Sequence, residues 1–324
     1  MEPLMFEPCL RPQIWGQRRL GEMFGKVLPT SGAYGESWEI SAHPHHVSRV
    51  AEGPWKGQLL PDLCTQHARE IFGDRTVPDR FPLLIKLLDC HDLLSIQVHP
   101  TDELASRLVP REKGKTEAWV ILAAEPTGRI YAGLLPGIDR AELEKHLKQG
   151  TTDRCLHSFK PKAGDCVFLP AGTVHAVGGG VVLAEVQQTS DATFRLFDWN
   201  RLGQDGKPRT LHIEQALAAI DWNRGPVSPV TATPIPGCRA GEHLVRCPYF
   251  AMDRFLLEEP LVNPFTGRLS IGIILAGSFR LRASNGSYGR IFRSGETVLI
   301  PASAPECTWS PEKGRATLLG VTLP

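Results

Sequence analysis

The sequence predicts a mainly β protein, built as two related β-barrel domains with a few short helices. Three observations predict it. Glycine and proline number 31 and 27 in 324 residues, about 18% of the chain against roughly 12% in average composition, so turns are frequent and elements short. Much of the chain then reads as short apolar runs bounded by Gly, Pro or Asp, a pattern of strands rather than of a helical bundle. Finally, Gly164-Asp165-Cys166-Val167-Phe168-Leu169-Pro170-Ala171 aligns with Gly295-Glu296-Thr297-Val298-Leu299-Ile300-Pro301-Ala302. Each copy is a turn, a short buried strand and a proline-closed corner, and each sits among strands, as in a pair of barrels.

Taken in order, helices are predicted over 60–72, 101–108, 139–148 and 213–222. The third is the best marked: Asp139 caps it, Glu142 follows three residues later, and Gly150 stops it. Strands are predicted over 93–99, 117–124, 166–170, 181–187 and 193–199. Residues 224–237, RGPVSPVTATPIPG, hold four prolines and no periodicity. They read as a linker, which divides the chain into domains 1–225 and 226–324.

Composition narrows the function. Lys and Arg total 36 against 35 Asp and Glu, a net charge of +1, so no field draws in nucleic acid or an anionic membrane. An anionic ligand must be small and locally held. The eight cysteines are scattered without a C-x-x-C pair, and neither a signal-peptide pattern nor a membrane-length apolar run is present. Reduced thiols and a cytoplasmic location are expected.

The chemistry gathers before residue 200. In Leu94-Ser95-Ile96-Gln97-Val98-His99 the period is two, so Ser95, Gln97 and His99 share one strand face. The next strand opens with Lys115-Thr116-Glu117 and places Glu117 beside His99 if the two strands are neighbours; His175 ends Pro170-Ala-Gly-Thr-Val-His. Two imidazoles, a carboxylate and an amide suit Zn²⁺ or another divalent ion with an open position. The alternative is a set of hydrogen-bonded polar core residues, which is costly for so many groups on one inward face. Glu185 and Gln187 share a face of the 181–187 strand, and Thr193 shares one with Arg195. Arg195 either pairs structurally with a carboxylate or stabilises an anion. The second copy of the repeat lies in a region with no histidine after His243, so a metal site belongs to the first domain.

Other signals read as structural. Gly114-Lys115-Thr116 lacks the glycine and the following helix of a phosphate-binding P-loop. Gly178-Gly179-Gly180 reads as a hairpin turn, the histidines of His43-Pro44-His45-His46 as turn or surface residues, and Lys86 as a snorkelling edge lysine.

Together the motifs resemble type I mannose-6-phosphate isomerase (phosphomannose isomerase) in its short bacterial form. The matching stretches are SWEISAHP (37–44), FPLLIKLLD (81–89), LSIQVHP (94–100), GKTEAW (114–119), PAGTVHA (170–176), AEVQQTSDATFR (184–195) and RTLHIEQAL (209–217). The resemblance implies two cupin-like jelly-roll domains, the second degenerate. It implies one zinc ion per chain, with another divalent ion as the alternative, held by Gln97, His99, Glu117 and His175. Arg195 resembles the family's catalytic arginine. Lys115, Glu185 and Lys86 resemble its active-site polar residues, and Ser95 a contact for the substrate phosphate. His46 replaces a common glycine, Phe194 a common tyrosine, and Phe197-Asp198-Trp199 an often tyrosine-rich segment.

The implied reaction interconverts mannose 6-phosphate and fructose 6-phosphate through a cis-enediolate. It needs a Lewis acid, a cation beside the developing charge, and a base, for which Glu185 and Lys115 are the candidates. Lys86 and Ser95 would share the phosphate. A metal-binding sugar-phosphate sensor would lack the Arg, Lys and Glu set, and a cupin dioxygenase would not need the ligand amide or the cations. The expected partner is a small sugar phosphate, with no nucleic acid or membrane, and the chain is expected to be a monomer or a weak homo-oligomer.

Overall fold

Short strands build four large antiparallel sheets and one two-stranded sheet, Ala42–His43 with His46–Val47, in the computed structural model, which describes residues 1–203 and 206–324. The first sheet orders its strands Cys9–Gln17, Tyr34–Ile40, Leu83–Cys90, Val181–Gln188, Glu117–Ala124 and Cys166–Leu169. The second orders Phe194–Phe197, Ile96–Val98, His175–Gly178, Arg129–Leu134 and Leu156–Phe159. These two sheets close over a shared core of Leu88, Trp119, Ile121, Ile130, Val177 and Leu183.

The C-terminal region repeats the plan. Its larger sheet orders Thr233–Ile235, Cys238–Arg246, Ala251–Leu257, Ala316–Thr322, Ser270–Ala276 and Thr297–Ile300. Its smaller sheet orders Leu261–Val262, Cys307–Pro311, Ser278–Ala283 and Gly289–Arg293. Phe255, Ile274, Phe279, Phe292, Trp309 and Leu318 fill the space between them. The expected mainly β fold with short helices is present. Hydrogen bonding does not run continuously round either sandwich, so the barrels are open two-sheet jelly rolls.

The two large sheets lie back to back. Ile85, Leu87, Val120, Ala184 and Val186 of the first share a core with Met252, Ile271, Ile273, Leu319 and Val321 of the third. Strand Leu83–Cys90 is therefore buried on both faces: its odd-numbered residues meet the other half, while Lys86 and Leu88 face the inside of their own sandwich. Lys86 is a central-strand residue, paired with Glu185 and Trp38, and not an edge lysine.

Several local expectations change in detail. The 60–72 helix breaks at His67 into Leu60–Gln66 and Ala68–Phe72. Asp102–Leu108 is capped by Thr101, and Arg140–Gln149 by Asp139, whose carboxylate accepts the Glu142 N–H at 2.9 Å. Helix Ile213–Ala219 stops short of Trp222, and helix Arg19–Phe24 is an addition. The Gly178–180 turn is not a hairpin: it carries the chain from the second sheet to the first, using left-handed φ of 74° and 86° at Gly179 and Gly180. The proline-rich stretch is no free tether either, because Val227 and Val230 donate to Ala132 O and Cys166 O at 3.0 and 2.7 Å. The N-terminus also crosses over, with Leu4 exchanging both backbone hydrogen bonds with Leu299. All eight cysteines are free.

Candidate metal centre and adjoining cavity

Strand register brings the candidate residues into two facing rows. On the first sheet Glu185 lies between Lys86 and Trp119, and Glu117, two residues before Trp119, points the same way beside Gln187. On the second sheet Gln97 lies between Arg195 and His175. Glu117 and His99 do meet, but from opposite sheets. The expected strand adjacency is absent because the chain changes sheet between residues 98 and 117.

His99, Glu117 and His175 are buried, and their ligand atoms lie within 4.8 Å of one another. The His99 and His175 Nε2 atoms are 3.5 and 3.2 Å from the Glu117 carboxylate oxygens. Each Nδ1 instead donates to a backbone carbonyl, Ala192 O for His99 and Thr173 O for His175, both at 2.8 Å. That choice of tautomer leaves a lone pair on each Nε2, facing the carboxylate. Three acceptors thus converge with no proton between any two of them; the Lys115 ammonium offsets part of their repulsion from the edge, and a metal ion among them would offset more. Both Glu117 oxygens are buried without a hydrogen bond. Lys115 Nζ stands at the edge, 2.8 Å from Glu117 Oε2 and 3.2 Å from His99 Nε2. Gln97 completes the group with its amide donating to His175 Nε2 at 3.3 Å. The donor set fits a divalent metal.

Electrostatics follow from this crowding. Burial, and then the Lys115 charge, push the His99 imidazole down to about 3. Burial opposes the charge of Glu117, but Lys115 and the two histidines outweigh it and hold the acid well below the usual carboxylate range. At Glu185 burial prevails over Lys115 and Lys86, and its pKa is raised.

Beside the cluster lies a cavity of about 290 Å³ lined by Lys86, Ser95, Gln97, Lys115, Glu185 and Arg195, all of them singled out from the sequence. His99, Glu117 and His175 do not line it, but Gln97 and Lys115, which touch them, do. Glu185 takes the Trp119 indole N–H at 3.0 Å and lies 3.3 Å from Lys86 Nζ. Burial disfavours the Lys86 ammonium, yet Glu185 and Glu36 outweigh it and raise its pKa. Arg195 donates to Ser95 Oγ at 3.3 Å and to Thr210 O at 2.7 Å, and among the described residues it forms no ion pair with a carboxylate. A larger cleft of about 1400 Å³ runs past the 74–82 segment and Tyr249, away from the metal cluster.

The sequence reading missed several lining residues, Arg209, Asp191, Glu36 and Gln13, and placed Thr193 on the face of Arg195 without a role. Asp191 and Thr193 stand in the SDATFR stretch and Arg209 begins RTLH, so position was signalled but role was not. Arg209 and Arg201 both grip Asp198, at 2.5 and 2.8 Å. The chain reaches that grip through Trp199 and Asn200, whose φ of 56° and 54° are left-handed. His43 is the clearest correction. It lies at the expected turn but is fully buried rather than on the surface, and it belongs to no metal cluster among the described residues.

An open jelly-roll sandwich in which two histidines and a glutamate face one another defines a cupin-type protein with a group that could hold a metal. Comparison with known proteins agrees. Residues 4–118 match the family described as phosphomannose isomerase type I, catalytic domain. A mannose-6-phosphate isomerase of Streptococcus mutans serotype c is 35% identical over 303 residues, covering 93% of this chain and 92% of that one. A Bacillus subtilis mannose-6-phosphate isomerase is 34% identical, with 93% of each chain covered. The crystal structure of a mannose 6-phosphate isomerase from Bacillus subtilis superposes with a TM-score of 0.91 at 32% identity, covering 100% of both chains. The chain belongs to the mannose-6-phosphate isomerase family, a family of aldose–ketose isomerases. Among the described residues no helix is long and apolar enough to cross a membrane.

Proposed function

We propose that this chain is a zinc-dependent isomerase interconverting mannose 6-phosphate and fructose 6-phosphate through a cis-enediolate. The observation that carries the reading is the convergence of two Nε2 lone pairs on a buried carboxylate that Lys115 alone contacts from the edge, beside a polar cavity. His99, Glu117 and His175 would hold the metal, with Gln97 as the fourth ligand. A zinc ion bound there supplies a Lewis acid for the sugar oxygens at C1 and C2.

The remaining work falls to side chains. Glu185, its pKa raised by burial and its orientation set by Trp119, carries the proton between C1 and C2; Lys115 is the competing candidate. Arg195, half-buried at the cavity wall, offsets the charge that grows on the enediolate. Ser95 and Lys86 offer hydrogen bonds to the phosphate, joined by Arg209, and this remote anchoring orients the reacting carbons. Residues 1–225 form the catalytic unit in this reading, and 226–324 its degenerate companion. Eight free thiols support a cytoplasmic site of action.

The test is a coupled assay of mannose 6-phosphate isomerisation on purified protein, before and after chelation and with zinc added back. Turnover should vanish on chelation and return with zinc. Turnover that survives complete metal removal overturns the metal role, and a zinc-loaded protein inert toward mannose 6-phosphate overturns the substrate.

A further inference from the structure

The histidines of His43-Pro44-His45-His46 take no part in the metal cluster, yet two of them reach the cavity wall through a continuous set of contacts. They sit on a tight turn between the short strands Ala42–His43 and His46–Val47. The His45 backbone N–H donates to His43 Nδ1 at 3.1 Å, which places the His43 proton on Nε2. That proton is donated to Glu112, whose carboxylate oxygens are 3.0 and 3.2 Å away. Glu112 Oε2 in turn accepts the backbone N–H of Asp191 at 3.0 Å. The His45 ring closes the circuit, with Nδ1 at 2.9 Å from Asp191 Oδ2.

Asp191 is therefore held twice, by its backbone from Glu112 and by its carboxylate from His45. It lines the cavity together with Lys86, Lys115, Glu185 and Arg195. Among the described residues its Oδ1 makes no hydrogen bond, leaving an acceptor on the cavity wall. The loop that carries it has no strand of its own. Ser190 Oγ ties it to Lys113 O at 2.7 Å, and Ala192 O receives the His99 Nδ1 proton. Without the histidine turn, the Asp191 side chain would be free to sample other rotamers. Its charge is favoured as well: burial opposes ionisation, but Lys86 and the His45 bond outweigh it.

We propose that His43, His45 and Glu112 are positioning residues that fix Asp191 as the acceptor for a sugar hydroxyl in the cavity. The proposal rests on the sugar-phosphate reading above for its substrate, while the positioning itself is independent of it. His45 is the clean probe, since its side chain is 57% exposed and its removal leaves no core cavity.

The experiment is steady-state kinetics on zinc-loaded wild type, His45→Ala, His45→Asn, Asp191→Ala and the His45→Ala/Asp191→Ala double variant, with crystal structures of wild type and His45→Ala. In His45→Ala the KM for mannose 6-phosphate should rise roughly tenfold, as for loss of a charge-assisted hydrogen bond. The kcat should change less than about threefold by the logic of uniform binding, and bound metal should be unchanged. His45→Asn, which keeps a side-chain N–H, should recover most of the loss. The double variant should match Asp191→Ala alone. In the His45→Ala crystal the Asp191 carboxylate should leave its wild-type position. An unchanged KM, additive effects in the double variant, or an unmoved Asp191 overturns the proposal. A zinc-loaded wild type that is silent on mannose 6-phosphate overturns the substrate reading alone, and the crystal comparison then decides the positioning.

Discussion

The two jelly rolls share the strand order and register of their larger sheets, yet one keeps a polar cavity and the other a packed aromatic core. Glu117 pairs with Leu169 and Gln187 in the first; at the same place Ser270 pairs with Ile300 and Thr322 in the second. Glu185, between Lys86 and Trp119, corresponds to Gly320, between Asp253 and Gly272. The two glycines matter because of what occupies their space. A Cβ at Gly320 would come within 2.4 Å of the Phe265 ring, and one at Gly272 within 2.9 Å of Trp309. Aromatic carbon fills the volume that Glu185 and Trp119 fill in the first half. Asp253, at the position of Lys86, pairs with His243 and Arg246 of its own half. One framework thus supports either a site or a core. The choice rests on a few inward positions, because a buried charge is tolerated only where partners or a metal compensate it.

The largest test of this contrast sets Glu117→Ala against Ser270→Ala. The first should abolish stoichiometric metal binding, read by metal analysis, and lower turnover by roughly 10³-fold or more. The second should leave both unchanged; a loss of metal in Ser270→Ala would show that the halves are not independent. Trp309→Ala should cost about 3–5 kcal/mol in denaturant unfolding while the folded protein keeps its metal. Arg195→Ala should do the reverse, retaining metal and stability with kcat reduced roughly 10²- to 10³-fold.

Smaller effects probe the space and charge around each half. Gly320→Ala should cost about 1–3 kcal/mol through overpacking against Phe265, without touching turnover. The smallest concerns Asp198 beside the cavity. Burial raises its pKa, but the Arg209 and Arg201 hydrogen bonds outweigh this and leave it lowered. A lowered folded pKa stabilises above the unfolded value of about 3.9, and that stability is lost as pH falls through the folded pKa. The stability gap between wild type and Asp198→Asn should therefore be full above about pH 5 and close on acidification, with roughly 1 kcal/mol at stake. A gap that widens below pH 4 would overturn the assignment.

Much of the site was legible because alternation is strictly local. Ser95 and Gln97 share a face whatever the strand pairs with, and both line the cavity. The candidate metal set was legible from chemistry, since inward His, His and Glu residues suit a cation. Lys86 misled for a related reason: an apolar run looks the same at an edge and at a centre. Only the second large sheet packed behind it shows that both faces are buried. His43 misled because a turn was expected at the surface, whereas its ring is buried against Glu112 while Pro44 and His45 of the same turn stay exposed.

The sequence by itself determined the strand-rich class, the doubled framework and the residue types gathered at the candidate metal centre. These depend on spacing and side-chain chemistry, which a linear chain already holds. The tertiary structure alone decided that His99 meets Glu117 across a sandwich, that Arg209 and Asp191 join the cavity, and that Phe265 and Trp309 close its counterpart. Those contacts join residues far apart in the chain. Their distances follow from which sheets stack and in what register, and not from any local pattern.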